Sequence, residues 1–207
     1  MEKKNKIAIF DFDGTLTSKD TFIEFAIHAV GMPRFLTALT VNLFSLIAWK
    51  LGLKSNHQAK QALFRTLYKG MSNTEFNKKC EEFSSKINSF IRKEVYYELL
   101  QHIENTTPVY IISASIENWI KPWALDHGIA EVIATIPEID KNNRLTGRFL
   151  TKNCYGKEKI ARLRSVFPEI TSSEIWAYGD SKGDKDILQI SHHPFLVKGK
   201  SIKALCF

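Results

Sequence analysis

Short apolar runs that stop abruptly at acids or hydroxyls constrain most strongly what this chain can fold into. Ile7–Phe10 runs straight into Asp11. Pro108–Ser115 is rich in β-branched residues and ends in small hydroxyls, and Glu131–Ile136 is a third run. Glu174–Asp184, "EIWAYGDSKGD", begins as a fourth and ends in a glycine–acid loop; Pro194–Val197 is a fifth. Such runs read as strands of a buried parallel sheet. Helical patterns lie between them, at Ile116–His127, closed by Gly128, and at Lys157–Phe167, closed before Pro168. Strands alternating with helices predict an α/β fold, a Rossmann-like parallel sheet with helices on both faces. Ligands bind at the carboxyl ends of strands in such sheets. Asp11/Asp13, Ser113 and Asp180/Asp184 all fall at those ends.

The interval from Thr21 to Leu100 breaks this rhythm and reads as consecutive helices. The expected organisation is a core of residues 1–20 and 101–207, with residues 21–100 inserted after the first strand as a helical cap. Within it, Phe35–Trp49 is 15 residues without a charge. As one helix this stretch spans roughly 22 Å, short of the ~30 Å hydrocarbon core of a bilayer. Its polar residues Thr37, Thr40, Asn42 and Ser45 do not gather on one stripe. Three readings stand: a helix buried in the cap's own core, a helix over 35–53 that dips into a bilayer surface, or the wall of an acyl-chain tunnel. In the second, Arg34, Lys50 and Lys54 meet the headgroups.

The chain's 207 residues suffice for one sizeable domain or a core with a smaller appendage. Its 44% hydrophobic and 25% charged residues argue against wholesale disorder. A net charge of +7 favours anionic partners: phosphorylated metabolites, anionic lipid or nucleic acid. Nucleic acid is the least expected, because no block of arginines interleaved with aromatics occurs. Cys80, Cys154 and Cys206 lack any metal-ligand spacing and read as free thiols of a reducing compartment. The basic N-terminus carries too short an apolar run for a signal peptide, so the expected location is cytoplasmic, with peripheral contact at the inner face of the membrane as its extension.

The opening motif, "DFDGTLT", sets two acids one residue apart directly after an apolar strand. Carboxylates that close repel one another unless a cation sits between them. Mg²⁺ suits such a place, because it accepts carboxylate oxygens and works in phosphoryl-transfer sites. Asp11 can then attack phosphorus, and Asp13 can protonate the leaving alkoxide and later activate water. Gly14 lets the backbone pass close to a phosphate and Thr15 can bond its oxygens. Ser113 offers a hydroxyl to the same group, Lys157 a point charge near a helix start, and Asp180 and Asp184 further acids. Each alone has a plainer explanation: a solvated strand end, a helix cap, an exposed lysine, an acidic turn. Together, at the ends of separate strands, they predict one shared site.

"DFDGTLT", "IISAS", the lysine of "CYGKEK" and "GDSKGDKD" resemble the four ordered motifs of the haloacid dehalogenase-like phosphohydrolases. An insertion after the first motif is similar to the subgroup that includes phosphoserine phosphatases. The resemblance implies Asp11 as nucleophile and Mg²⁺ ligand, and Asp13 as acid/base with its carbonyl on Mg²⁺. It further implies Ser113, the neighbouring Ala114 and Lys157 as phosphate-binding residues, Asp180 as metal ligand and Asp184 as its support. "NCYGKEKIARL" and the apolar cap stretch look similar to phosphatidylglycerophosphatases of the C type, which act on a lipid phosphate. The expected activity is therefore a Mg²⁺-dependent phosphomonoesterase working through an aspartyl-phosphate on a lipid phosphate. The alternative substrate is phosphoserine or another small metabolite. Asp20 stands where phosphoserine phosphatases carry an acid, and Arg144 and Arg148 are candidates for a second anionic group. A non-catalytic phospho-acceptor and a membrane-surface binding protein are the rivals outside enzymology.

Overall fold

Alternation along single strands divides the interior in two. In the computed structural model, which describes residues 5–206, Ala8 and Phe10 face one apolar cluster while Ile7 and Ile9 face another. The reading of the N-terminus as no signal peptide falls partly on residues 1–4, which lie outside the described residues.

The strands are β1 (Lys6–Phe10), β2 (Val109–Ile116), β3 (Glu131–Thr135), β4 (Pro137–Ile139), β5 (Leu145–Phe149), β6 (Glu174–Gly179), β7 (His193–Lys198) and β8 (Ser201–Ala204). One sheet has the order β3-β2-β1-β6-β7-β8. It is parallel apart from the β7–β8 hairpin, with Ala8 opposite Val109 on one side and Trp176 on the other. β1 is thus central, and the acids after it emerge between the ends of β2 and β6.

The helices are α1 (Thr21–Val30), α2 (Met32–Val41), α3 (Leu43–Lys50), α4 (Asn56–Tyr68), α5 (Asn73–Ile87), α6 (Lys93–Glu104), α7 (Glu117–Asp126), α8 (Lys157–Val166) and α9 (Lys185–Ile190). Six of them lie between β1 and β2. Their interior is aromatic: Phe25 packs edge-on to Phe76 and Phe83 and stacks at 4.5 Å on Trp119 of α7. The insertion and one face of the sheet therefore share a continuous core.

Two features depart from the sequence expectation. The charge-free stretch is not one helix but two, interrupted at Asn42. The Asn42 amide turns inward, donating to the Ala38 carbonyl and to Thr66 Oγ1 of α4, both at 2.8 Å. A side chain that competes for backbone partners favours a helix end over a helix interior. The second departure is the antiparallel pair β4–β5, a pair of strands absent from the runs read in the sequence. It lies against α4: Gln61 Oε1 accepts the Phe149 amide at 3.0 Å, and a Cβ on Gly147 would meet the Arg65 Cα at 2.9 Å.

Candidate active site

Asp11 leaves the end of β1 and is almost fully buried. Its Oδ1 lies 2.5 Å from Lys159 Nζ, and the same ammonium reaches Asp184 Oδ1 at 2.5 Å. Lys159 is 2% exposed. Burial alone would lower its pKa, but the two carboxylates outweigh that and hold it above the usual lysine range. Asp11 is pushed the other way: burial and then the nearby Asp184 charge raise its carboxyl well above the normal range, only partly opposed by Lys159.

The loop after β6 completes this corner. Asp184 Oδ2 accepts from the Ser181 amide at 3.0 Å and the Ser181 hydroxyl at 2.8 Å, which fixes its orientation. Asp180 is half-buried, and its Oδ1 accepts from Thr15 Oγ1 at 3.2 Å. Burial and Asp184 raise its pKa. Carboxylate oxygens of Asp11, Asp180 and Asp184 all lie within 4.8 Å of one another. Gly14 has φ +85°, and a Cβ there would sit 2.5 Å from Asp180 Oδ2. Only glycine lets this backbone pass beside the acids.

Asp13 points elsewhere. Its Oδ1 accepts from the Thr21 amide at 2.9 Å and the Thr21 hydroxyl at 2.6 Å. That hydroxyl also meets Ser115 Oγ at 3.0 Å and accepts from Trp119 Nε1 at 3.1 Å. The first turn of α1 thus clamps one oxygen of Asp13. Burial, then the Asp20 charge, raise its pKa to about 6. A carboxyl so placed can give a proton as well as take one.

Three of the four sequence motifs line one cavity of about 540 Å³ through Asp11, Asp13, Ser113, Ala114 and Asp184, and the lysine motif enters it through Lys159. Ser113 Oγ accepts the Ser115 amide at 3.0 Å, within the stretch of β2 where the register with β3 shifts between Ile112 and Ile116.

Two expectations need correction. Lys157 is the exposed first residue of α8. Two residues turn a helix by roughly 200°, so Lys159, not Lys157, faces inward. Asp184 accordingly supports Lys159. Arg144 and Arg148 do not reach the cavity: Arg144 donates to the Gly70 carbonyl at 2.7 Å and Arg148 pairs with Glu138 at 2.8 Å across β4–β5. Asp20 lines the cavity, and its Oδ1 also caps α1, accepting the Phe22 amide at 2.9 Å.

One site residue carries no signal in the motifs. Lys60 descends from α4, lies 5.2 Å from the centre of the Phe22 ring, and donates to the Ala114 carbonyl at 2.5 Å. Burial lowers its pKa, while Asp13 and Asp20 oppose the shift. Only folding of the insertion brings it over the strand ends.

Away from the acids the cavity turns apolar. Phe22, Phe35, Leu39, Leu46, Trp49 and Leu63 line it.

Residues 8–189 match the family model described as haloacid dehalogenase-like hydrolase. "Protein CicA" of Caulobacter vibrioides is 29% identical over 187 residues, covering 89% of this chain and 82% of that protein. A crystal structure of a Bordetella pertussis protein with unknown function superposes with a TM-score of 0.73 at 20% identity, covering 93% of this chain and 89% of the other. A substrate-bound phosphoserine phosphatase superposes with a TM-score of 0.60 at 17% identity, covering 92% of this chain and 84% of the other. These two structural likenesses concern the fold.

Proposed function

Since the chain belongs to the haloacid dehalogenase-like hydrolase family, we propose that it is a Mg²⁺-dependent phosphomonoester hydrolase whose substrate carries an apolar body, a lipid phosphate. The observation that carries the chemistry is the placement of Asp11. It stands at the end of the central strand, held by Lys159 and surrounded by Asp180 and Asp184.

The acid cluster suits a hard cation. Three carboxylates stand together and one lysine reaches two of them, leaving negative charge unmatched in a largely buried corner. Oxygen-only donors of this kind fit Mg²⁺. Asp11 and Asp180, with the carbonyl of Asp13, would hold it. Bound there, Mg²⁺ offsets charge on carboxylate and phosphoryl oxygens.

The chain's own groups then perform two displacements. An Asp11 carboxylate oxygen attacks phosphorus, forming an acyl phosphate as the bond to the alkoxide breaks. Asp13 gives its proton to that alkoxide oxygen. Water next attacks the same phosphorus while Asp13 takes a proton from it, releasing inorganic phosphate and free Asp11. Lys159, Ser113 and the Ala114 backbone balance and orient the phosphoryl oxygens.

The walls support the substrate class. Beyond the acids, the substrate body meets an apolar wall of Phe22, Phe35, Leu39 and Leu46, with Asp20 and Lys60 at its polar end. Lys60 is placed to receive a second anionic group, such as a phosphodiester next to the hydrolysed monoester.

The test is a release assay comparing phosphatidylglycerophosphate, lysophosphatidic acid, phosphoserine and sugar phosphates. Lipid phosphates are expected to lead by kcat/KM; a preference for phosphoserine removes the lipid assignment. Asp11→Asn is expected to abolish turnover of all of them, because an amide is a poor nucleophile. Chelation is expected to stop the wild type, and added Mg²⁺ to restore it. Wild-type rates in Asp11→Asn would refute the covalent route.

A further inference from the structure

The outer surface of α2 and α3 has a character that no buried role explains. None of the α3 side chains is fully buried, yet apart from Ser45 and the terminal Lys50 all of them are apolar. A helix apolar all round is ordinarily enclosed on every side. At 100° per residue, Leu46 and Trp49 share one side, and both line the cavity. Leu43, Phe44, Ile47 and the following Leu51 fall within an arc of roughly 100° on the other side. Phe44 is 85% exposed and Leu51 68%. Leu53 at 77%, just beyond, and Met32 and Leu36 on α2 extend the apolar surface. An exposed apolar patch of this kind marks an interaction site.

Charge identifies the partner. Between Glu24 and Glu75 the chain has no acid at all, but six basic residues: Arg34, Lys50, Lys54, Lys60, Arg65 and Lys69. The rest of the chain, with 23 basic and 22 acidic residues, is nearly neutral, so this segment carries almost all of the net charge of +7. Lys50 and Lys54 are exposed and border the apolar arc. Apolar side chains flanked by Lys50 and Lys54, in a segment without an acid, are complementary to an anionic phospholipid surface, where the apolar groups enter the acyl boundary and the ammonium groups meet phosphates. Among the described residues no single helix is long and apolar enough to cross a membrane, and α1 with α2 meets that length and composition only as a pair bent by 118°.

We propose that the outer face of α2 and α3, centred on Phe44 and Leu51, docks the protein onto an anionic phospholipid bilayer. The inner face of the same helix lines the cavity through Leu46 and Trp49, so docking sets the cavity beside the lipid. The docking rests on the phosphatase reading only for what passes into the cavity; vesicle binding is read without turnover, so the two stand or fall separately.

The experiment is co-sedimentation of the full chain with phosphatidylcholine vesicles, with or without about 30% phosphatidylglycerol, beside hydrolysis of soluble p-nitrophenyl phosphate. The wild type is expected to bind the anionic vesicles at least about tenfold more tightly than the neutral ones, and less tightly as salt rises. Phe44→Glu/Leu51→Glu is expected to lose at least about tenfold in binding to the anionic vesicles. Neither residue lines the cavity, so p-nitrophenyl phosphate turnover should match the wild type. Lys50→Gln/Lys54→Gln is expected to lose the preference for anionic vesicles while keeping turnover. Absent binding by the wild type, or equal binding by the Glu variant with an unchanged circular dichroism spectrum, would overturn the proposal. So would a wild-type dimer in sedimentation velocity that dissociates in the Glu variant, because the patch would then face a second copy of the chain.

Discussion

Lys159 shows how much can hang on one helical position. Its ammonium is the shared partner of Asp11 and Asp184, and removing it leaves two buried carboxylates without their cation. Breaking a buried pair in this way costs about 3–5 kcal/mol, and losing one charge-stabilising donor lowers kcat by about 10²–10³. Lys159→Met is therefore expected to lose both stability and turnover, while Lys157→Met, altering an exposed side chain, keeps both. Thermal melts and steady-state rates of the two variants decide it; a silent Lys159→Met would remove the lysine from the site. The sequence places a lysine near this helix start without saying which one. Lys157 and Lys159 are equally basic, and only the orientation of α8 against the sheet, with its Leu163 buried in the cluster that holds Ile7, Ile9 and Ile112, selects the second. The acids were legible for the opposite reason. Asp11, Asp13, Asp180 and Asp184 sit at the ends of strands whose apolar runs are short, strong and unambiguous.

At the scale of elements, legibility follows the strength of local pattern. β1, β2, β3, β6 and β7 are apolar runs in a buried sheet, and all five are visible in the sequence. β4 and β8 are short, and β5 alternates apolar residues with Thr146 and Arg148 around Gly147, so it has no continuous apolar run to read. β5 closes on α4 through Gly147, which has φ +81° and no room for a side chain against Arg65. Gly147→Ala is expected to destabilise the fold by about 1–3 kcal/mol through backbone strain and overlap. Its melting temperature should fall by several degrees; an unchanged value would show that α4 and β5 yield easily. Arg144 and Arg148 belong to this pair and not to the cavity. Arg144→Gln/Arg148→Gln should leave KM for a phosphorylated substrate essentially unchanged, and a marked rise would return these arginines to substrate binding. The break at Asn42 escaped a reading by charge and hydropathy because its cause is tertiary: the amide finds Thr66 on another helix.

Across the whole molecule, the helical insertion and the sheet share an apolar core, while the acids at the strand ends share an unfavourable charge. Raised carboxyl pKa values make that charge measurable in the metal-free protein. Asp13 moves from 3.8 to about 6, and Asp11 and Asp180 are raised as well. A group with a raised native pKa binds more protons folded than unfolded, so stability falls as pH climbs through the interval between the two values and levels off above it. For Asp13 that interval runs from about pH 4 to about pH 6. In chelator, the melting temperature of Asp13→Asn should therefore gain on that of the wild type as pH rises through this range, and hold a constant lead beyond it. Added Mg²⁺ should raise the wild-type melting temperature above pH 6, because a ligand held only by the folded state stabilises it by mass action. A difference between wild type and variant that ignores pH would mean that Asp13 ionises freely. The clamp from Thr21 would then orient an ordinary carboxylate, not one poised to exchange a proton.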